Sequence, residues 1–275
     1  MLFRTWRRYS LRRTLLTSMA GGAKPPPAEP FFMKIIINRK ITKPFVSVVC
    51  CLHGNEKFGL RIFNALKKQI NRYPGLQLIV ANEEAIKINK RFVDQDLNRS
   101  FPGRPQGNHE TKLAYKILKK VFQSDYVLDI HTTVSAAGFL TPIFAKQNKN
   151  TQRIINLLPE EKIVMVRQPL ANLSLIGNVK NGVSLEFGKK EAKGKPAVKT
   201  VMELIENLYA GQTNRPRQRQ IFCVNGVIPK ETKLPTKAKN FQLVKKYKFY
   251  PVLLKDASYI GNQGLKANKK IQKLI

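Results

Sequence analysis

The 275-residue sequence has few cysteines and no long uninterrupted run of apolar residues. Three cysteines are too few, and odd in number, for a disulfide framework, so we expect a reducing compartment, the cytoplasm. Because no apolar run approaches the ~18–20 residues of a membrane-spanning helix, we expect no transmembrane segment. An apolar content of 43% with 24% charged residues excludes wholesale disorder.

Acidic residues are also scarce, since 17 Asp and Glu stand against 50 Lys and Arg, a formal net charge of +33. Such a charge is typical of proteins that bind nucleic acids, anionic membranes or acidic substrates. The basic residues are scattered, however, and no heptads, paired zinc cysteines or aromatic RNA-binding motif accompany them. We interpret them as a solvated Lys-rich surface and expect no specific nucleic-acid partner.

Residues 1–32 differ from the rest in composition. They hold five arginines before residue 14, no acid before Glu29, and three consecutive prolines at 25–27. We interpret this segment as a disordered or artefactual extension, and the alternative is a leader that targets the protein to an organelle.

From Met33 onward, apolar runs of strand length alternate with segments of helical periodicity. The sequence predicts a first strand at 33–41 and buried strands at 44–52, 76–82, 126–130, 162–166 and 182–187. It predicts helices at 57–71, about 109–122 and 197–209. This alternation predicts an α/β fold with a mainly parallel, mixed sheet covered by helices on both faces.

The pattern changes after about residue 211, where a polar linker precedes segments that alternate apolar and polar residues. These segments predict a small β-rich C-terminal domain. We therefore divide the chain into the extension at 1–32, a main domain at 33–212 and the C-terminal domain at 213–275.

Two histidines and a glutamate follow or close predicted strands. His53 and Glu56 lie just beyond strand 44–52, and His131 closes strand 126–130 with Asp129 beside it. The carboxyl ends of parallel strands line the binding crevice of an α/β sheet, and catalytic zinc sites often use two His and one Glu. The spacing indicates a candidate zinc site, in which Asp129 can hydrogen-bond a ligand. The alternative is a pair of histidines that make only structural hydrogen bonds.

The loop 91–103 is bounded by Gly and Pro and holds two arginines and Asn98. Guanidinium groups bind carboxylates through paired donors, so this loop can form a carboxylate receptor or hold an arginine over a reacting carbonyl. The alternative is a surface loop in which Arg99 pairs with Asp94 or Asp96.

Glu186 interrupts the apolar strand 182–187. Burial raises the pKa of a carboxyl toward the range that is useful for proton transfer, which makes Glu186 a candidate catalytic acid or base. The alternative is a glutamate of an edge strand that faces solvent.

The order and combination of four motifs resemble the succinylglutamate desuccinylase/aspartoacylase family, within the zinc carboxypeptidase clan. The motifs are HGNE (53–56), RFVDQDLNRSFPG (91–103), DIHTT (129–133) and LEFG (185–188). The resemblance runs from about Met33 through the C-terminal β region. It implies a zinc carboxypeptidase-like fold, in which 33–212 is the zinc hydrolase catalytic domain.

The resemblance also implies roles for single residues in the reaction. His53, Glu56 and His131 correspond to the family's ligands for one Zn²⁺ ion per chain. Glu186 corresponds to the catalytic glutamate, and Arg91 to the arginine that polarises the scissile carbonyl.

For the substrate, Asn98 and Arg99 match the family's pair that holds a carboxylate, and Tyr259 matches a tyrosine that touches substrate. Aspartoacylases carry a further substrate-binding arginine about ten residues before the catalytic glutamate. Here Ile176 or a neighbour stands at that place. Lys180 can substitute only as a point charge without the bidentate fork. This departure argues against specificity for N-acetylaspartate, though not against hydrolysis.

We therefore expect a zinc-dependent hydrolase that cleaves the amide bond of a small anionic N-acyl amino acid, with a zinc-activated water and Glu186 as general base. One alternative is a zinc carboxypeptidase that acts on peptides. A less favoured alternative is a basic nucleic-acid-binding protein without turnover. A homo-oligomer is compatible with the sequence, which identifies neither the acyl group nor the amino acid.

Overall fold

A mixed sheet forms the centre of the structure, a computed structural model that describes residues 33–38, 40, 42–134, 138–213, 217–256 and 261–274. The extension at 1–32 and Tyr259 lie outside the described residues. The described strands are β1 (Lys34–Ile37), β2 (Val46–Cys50), β3 (Leu76–Val80), β4 (Tyr126–Thr133), β5 (Leu140–Phe144), β6 (Lys162–Val166), β7 (Gly182–Gly188), β8 (Gln218–Pro229), β9 (Tyr250–Val252) and β10 (Asn262–Lys273).

These ten described strands join one sheet in the order β1-β3-β2-β4-β7-β5-β6-β8-β10-β9. The pairs β3–β2, β2–β4, β4–β7, β5–β6 and β6–β8 are parallel. The remaining pairs, β1–β3, β7–β5, β8–β10 and β10–β9, are antiparallel. The parallel strands β3, β2, β4 and β7 lie next to one another, so their carboxyl ends share one edge.

Helices cover both faces of this sheet. They are α1 (Phe58–Lys67), α2 (Glu83–Lys87), α3 (His109–Val121), α4 (Lys149–Leu157), α5 (Leu175–Asn178) and α6 (Lys195–Tyr209). Helices α1, α4 and α6 share one apolar cluster with Val48 of β2, whereas α3 and α5 share a second cluster with the next residue, Val49. Because successive side chains of a strand point to opposite faces, the two clusters lie on opposite sides of the sheet.

The predicted α/β fold, with a mainly parallel mixed sheet and helices on both faces, is confirmed. Strand β6 has the predicted bounds, and β2, β3 and β7 agree with prediction to within two residues at each end. The sequence analysis did not predict β5 or α4. In β5, Pro142 interrupts a short run, and α4 begins with polar residues after the Asn148 cap. Among the described residues, no helix has the length and apolar character needed to cross a membrane.

The C-terminal residues form the expected antiparallel strands, which continue the same sheet. Strand β8 pairs with β6, and β10 pairs with β8 and β9. Residues 32–275 form one compact unit. The division at 212/213 into two domains stays a prediction.

A buried arginine joins β8 to the end of α4. Arg219 is 1% exposed and donates hydrogen bonds to the carbonyl oxygens of Ile155, Leu158 and Glu160. Carbonyls at and just beyond the end of a helix lack partners within the helix, so the guanidinium supplies donors to this segment. Beside this arginine, burial raises the pKa of the Glu160 carboxyl to about 7, although the positive charge of Arg219 opposes the shift.

We expect Glu160→Gln to flatten the pH dependence of stability between pH 5 and 8. The raised pKa of Glu160 means that the folded chain keeps a proton which the unfolded chain releases near pH 4.5. Glu160 therefore contributes a fall of about 1–3 kcal/mol in the free energy of unfolding as the pH rises through this window, and the variant lacks this contribution. Urea unfolding at both pH values measures it, with the exposed neighbour Glu161→Gln as control. Equal pH slopes in the wild type and Glu160→Gln would contradict the assignment.

Candidate metal centre and active site

The three predicted metal ligands meet at the edge of the sheet where β2 and β4 end. His53 and Glu56 lie in the turn that follows β2. His131 lies within β4, which runs to Thr133, so it is a strand residue and does not close the strand as the sequence analysis expected. All three side chains are buried.

The carboxylate of Glu56 connects the two imidazole rings. Its Oε1 lies 2.6 Å from Nδ1 of His53, and its Oε2 lies 3.1 Å from Nδ1 of His131. The backbone N–H of Thr132 also donates to Oε2 at 2.9 Å. One ligand atom from each of the three residues lies within 4.8 Å of the others, so this His–Glu–His cluster could hold a metal ion.

Close backbone packing explains the glycine between the two ligands of this turn. A Cβ atom at Gly54 would lie 2.1 Å from the carbonyl carbon of Ala85 in α2, which no side chain can do. The backbone N–H of Gly54 donates to the carbonyl oxygen of Arg91 at 3.1 Å. The HGNE turn is therefore pressed against α2 and tied to the loop that begins at Arg91.

A carboxylate lies behind each imidazole ring. His53 Nε2 lies 3.0 Å from Asp96 Oδ1, with which it makes a hydrogen bond. His131 Nε2 lies 3.0 Å from Asp129 Oδ2 as an ion pair, without the angles of a hydrogen bond. Carboxylates in this position orient a metal-ligating imidazole and raise its basicity, leaving the other ring nitrogen for the metal. The candidate role of Asp129 behind a ligand fits this position.

The charges of the cluster favour a cation at its centre. Burial lowers the pKa of both imidazoles. For His53, the charge of Glu56 and the hydrogen bond to Asp96 outweigh burial and raise the pKa. For His131, the charges of Asp129 and Glu56 do the same. Burial also raises the pKa of Glu56, yet the two imidazoles hold that pKa below its usual range. The buried carboxylates therefore make positive charge favourable at the cluster. The nitrogen and oxygen donors of the cluster are suitable ligands for a metal ion.

A cysteine lies beside the cluster without joining it. Burial raises the pKa of the Cys51 thiol to about 12, and the charge of Glu56 adds to this shift. The thiol is therefore protonated at neutral pH, and it donates to the backbone carbonyl of Glu56 at 3.7 Å. Since metal ligation by cysteine uses the thiolate, Cys51 is a poor competitor for the metal.

Glu186 lies directly opposite His131 in the pairing of β7 with β4. Strand β7 lies between β4 and β5 in the interior of the sheet, so the alternative of an edge-strand glutamate is wrong. Burial raises the pKa of the Glu186 carboxyl to about 7, the positive charge of His131 opposes this shift, and the charges of Glu56 and Asp256 add to it. A carboxyl with such a pKa can both accept and donate a proton near neutrality.

The arginine of the 91–103 loop that pairs with Asp96 is Arg91. Its Nε and Nη2 each lie 3.0 Å from Asp96 Oδ2, and its Nη1 lies 3.6 Å from Glu56 Oε1. Asp94 instead accepts a hydrogen bond from the backbone N–H of His109. Asp96 thus holds both Arg91 and His53 in place, a double role that the sequence analysis did not assign to it.

Glu110 positions the loop from behind, and the sequence analysis missed it. This fully buried carboxylate accepts hydrogen bonds from the backbone N–H groups of Val93, Asp94 and Gln95, and from the side chain of Asn82. The only sequence signal was an acid in the first turn of α3, which is common at helix starts.

One cavity of about 340 Å³ is lined by the predicted site residues that the structure describes, which leaves out Tyr259. The lining includes His53, Glu56, Arg91, Asn98, Arg99, His131 and Glu186. Asn98 Oδ1 accepts a hydrogen bond from the backbone N–H of Leu175, and the Arg99 side chain is exposed. Ile176 also lines the cavity, whereas Lys180 is exposed and is not among the lining residues. The structure therefore does not support Lys180 as a replacement for the missing arginine.

The fold and the site define an α/β protein with a candidate metal centre and a partly buried glutamate at the carboxyl ends of its parallel strands. The sequence model of the succinylglutamate desuccinylase/aspartoacylase catalytic domain matches residues 42–211. The chain belongs to this family, which confirms the resemblance drawn from the four motifs.

Individual relatives are distant. A probable aspartoacylase from Trichodesmium erythraeum is 28% identical over 174 residues, which cover 54% of this chain and 57% of the relative. Another from Acaryochloris marina is 32% identical over 108 residues, which cover 34% of this chain and 36% of the relative. The chain thus matches little more than half the length of the first relative and about a third of the second.

Solved structures share the fold. Murine aminoacylase 3 is 19% identical with a TM-score of 0.64, and the match covers 85% of this chain and 98% of that one. Succinylglutamate desuccinylase from Chromobacterium violaceum is 16% identical with a TM-score of 0.68, covering 88% and 89% of the two chains.

We expect His131→Ala to remove most bound metal and His109→Ala to leave it in place. His131 supplies one of three clustered donor groups, whereas Nε2 of His109 lies 3.0 Å from the side-chain oxygen of Asn82, away from the cluster. Metal stoichiometry of the folded protein, measured by mass spectrometry after dialysis, tests this. Equal metal content in the two variants would show that the cluster does not hold the ion.

Proposed function

We propose that the protein is a zinc-dependent hydrolase that cleaves the amide bond of an N-acyl amino acid. The observation that carries this proposal is a buried His–Glu–His cluster with Glu186 in the same cavity. Membership of the desuccinylase/aspartoacylase family supports the same reaction type.

The donor set supports zinc as the metal. His53, Glu56 and His131 would hold the ion, since two His and one Glu are a common ligand set of catalytic zinc. Zinc bound there would supply Lewis acidity, which polarises a carbonyl group and lowers the pKa of water to about 7. Asp96 and Asp129 would keep both imidazoles turned toward the ion.

Glu186 is the proposed general base and acid. Its carboxylate takes a proton from the attacking water as the oxygen adds to the amide carbon. When the C–N bond breaks, Glu186 returns that proton to the nitrogen of the departing amine. A pKa of about 7 suits both steps, because the group is neither too weak a base nor too weak an acid.

Arg91 is the proposed donor to the oxyanion that forms on the amide carbonyl. Asp96 holds its guanidinium through two hydrogen bonds, which leaves Nη1 directed toward the Glu56 end of the cavity. A preorganised donor of this kind contributes ~2.7–4 kcal/mol to transition-state stabilisation in characterised hydrolases. We assign the substrate carboxylate to Asn98 and Arg99, which lie next to each other on the cavity wall.

The small cavity favours a deacylase over a peptidase. Val227, Leu253 and Leu265 from the C-terminal region form part of the lining of this cavity of about 340 Å³. A peptide substrate would need space for several residues, whereas an N-acyl amino acid needs space for only one.

We expect Glu186→Gln to keep its zinc and to lose about 10²–10⁴-fold in kcat, since the amide cannot relay the proton. Zinc stoichiometry and turnover of a panel of N-acetyl amino acids, measured on the same preparation, test both parts. Glu203→Gln, at an exposed glutamate of α6, is the matched control. Turnover close to that of the wild type in Glu186→Gln would remove its assigned role.

We expect Arg99→Lys to raise KM about 10-fold for N-acyl amino acids, because lysine lacks the bidentate fork. Carboxamide analogues of the same substrates should change little, since they carry no carboxylate. Steady-state kinetics on both series measures the difference, with Arg104→Lys, at an exposed position just after the loop, as control. An equal loss on both series would point to a defect of the fold.

A further inference from the structure

One side of the active-site cavity is apolar, and we name it the apolar wall. It consists of Ile143, Val166, Leu170, Leu173, Ile176 and Val227. Ile143 and Ile176 belong to the buried cluster around β5, β6 and β8, and Val166 and Val227 pack against that cluster. These four residues therefore continue the apolar core into the cavity, and Leu170 and Leu173 extend the wall toward solvent.

The apolar wall lies beside the assigned carboxylate receptor. The Asn98 side-chain oxygen accepts a hydrogen bond from the backbone N–H of Leu175 at 3.0 Å, which places Ile176 next to the Asn98–Arg99 turn. The backbone N–H of Phe101 donates to the carbonyl oxygen of Leu173 at 3.2 Å, which fixes the preceding segment on the same loop. An amino acid whose carboxylate contacts Arg99 would therefore lie beside the wall, within reach of its apolar side chains.

The charges around the cavity suit one carboxylate and disfavour a second. Besides the histidines, the cations among the described lining residues are Arg91, which is held by Asp96, and Arg99. The lining acids besides the proposed zinc ligand Glu56 are Glu186 and Asp256, which repel an anion. A second carboxylate would meet these acids or the apolar wall, where an uncompensated buried charge is costly.

Two leucines of the wall are partly exposed to solvent. Leu170 is 41% exposed and Leu173 is 50% exposed, at the mouth of the cavity. Covering solvent-exposed apolar side chains with an apolar group of a ligand removes their surface from water, which is favourable. Their position supports binding of an apolar group at this mouth.

We propose that the substrate is an N-acyl amino acid with one carboxylate and an apolar side chain, recognised by Arg99 and the apolar wall. This inference rests on the proposed hydrolysis of N-acyl amino acids. Ile176 determines the specificity, because it presents an apolar surface where a second substrate carboxylate would need a cation.

N-acetyl-leucine and N-acetyl-aspartate make the sharpest substrate pair, because both side chains branch at the γ atom and differ chiefly in charge. For the zinc-loaded full chain we expect kcat/KM to favour N-acetyl-leucine by about 100-fold. Equal or faster hydrolysis of N-acetyl-aspartate would overturn this inference and leave the proposed function standing.

Hydrolysis of neither compound would count against the proposed function. Calorimetric binding of the same two compounds then decides the inference without turnover. Tighter binding of N-acetyl-leucine supports it. Equal or tighter binding of N-acetyl-aspartate, or binding of neither compound, overturns it.

Added arginines test the wall itself. Ile176→Arg should move the preference toward N-acetyl-aspartate by at least about 10-fold, since it supplies a partner for the second carboxylate. Leu170→Arg adds the same charge at an exposed wall position. It replaces Ile176→Arg in this test if Ile176→Arg does not fold. Ile271→Arg, at a 60% exposed position of β10, is the control that adds charge outside the cavity. An unchanged preference in folded wall variants would contradict the proposal.

Discussion

The carboxylate of Glu56 is the contact on which the site depends. It makes hydrogen bonds with Nδ1 of His53 in the turn after β2 and with Nδ1 of His131 in β4. It also accepts a hydrogen bond from the backbone N–H of Thr132. These contacts bind the turn after β2 to the neighbouring strand. The two imidazoles lie on separate elements, and the contacts with Glu56 hold both rings toward one point.

The same constraint explains why several carboxylates meet there, of which Glu56 and Asp129 are buried and Asp96 and Glu186 are partly buried. Asp96 and Asp129 lie behind the imidazoles, and Glu186 lies across from His131. Burial of this much negative charge is unfavourable unless positive charge compensates it. The neighbouring carboxylates raise the pKa of both histidines, so the site favours positive charge on these rings. A divalent cation would provide it more completely.

Local patterns predicted most of the sheet and the residues of the His–Glu–His cluster. The Val-rich run around β2 and the short apolar run of β6 predict buried strands, and a His–x–x–Glu turn after a strand needs no tertiary information. The positions of Asp96 and Glu110 could not be predicted in the same way. Each acts through contacts between segments distant in sequence, such as the 43 residues that separate His53 from Asp96. Nothing in the local sequence of Glu110 distinguishes it from an ordinary acid at a helix start.

The central claim is that two imidazoles and one carboxylate bind a single zinc ion. X-ray absorption at the zinc edge of the zinc-loaded full chain tests this directly, because it reports the atoms that contact the metal. We predict nitrogen and oxygen neighbours at about 2.0–2.1 Å, with the scattering pattern of two imidazole rings and no sulfur. A sulfur neighbour at about 2.3 Å, which would implicate a cysteine such as Cys51, or a shell without imidazole, would contradict the account.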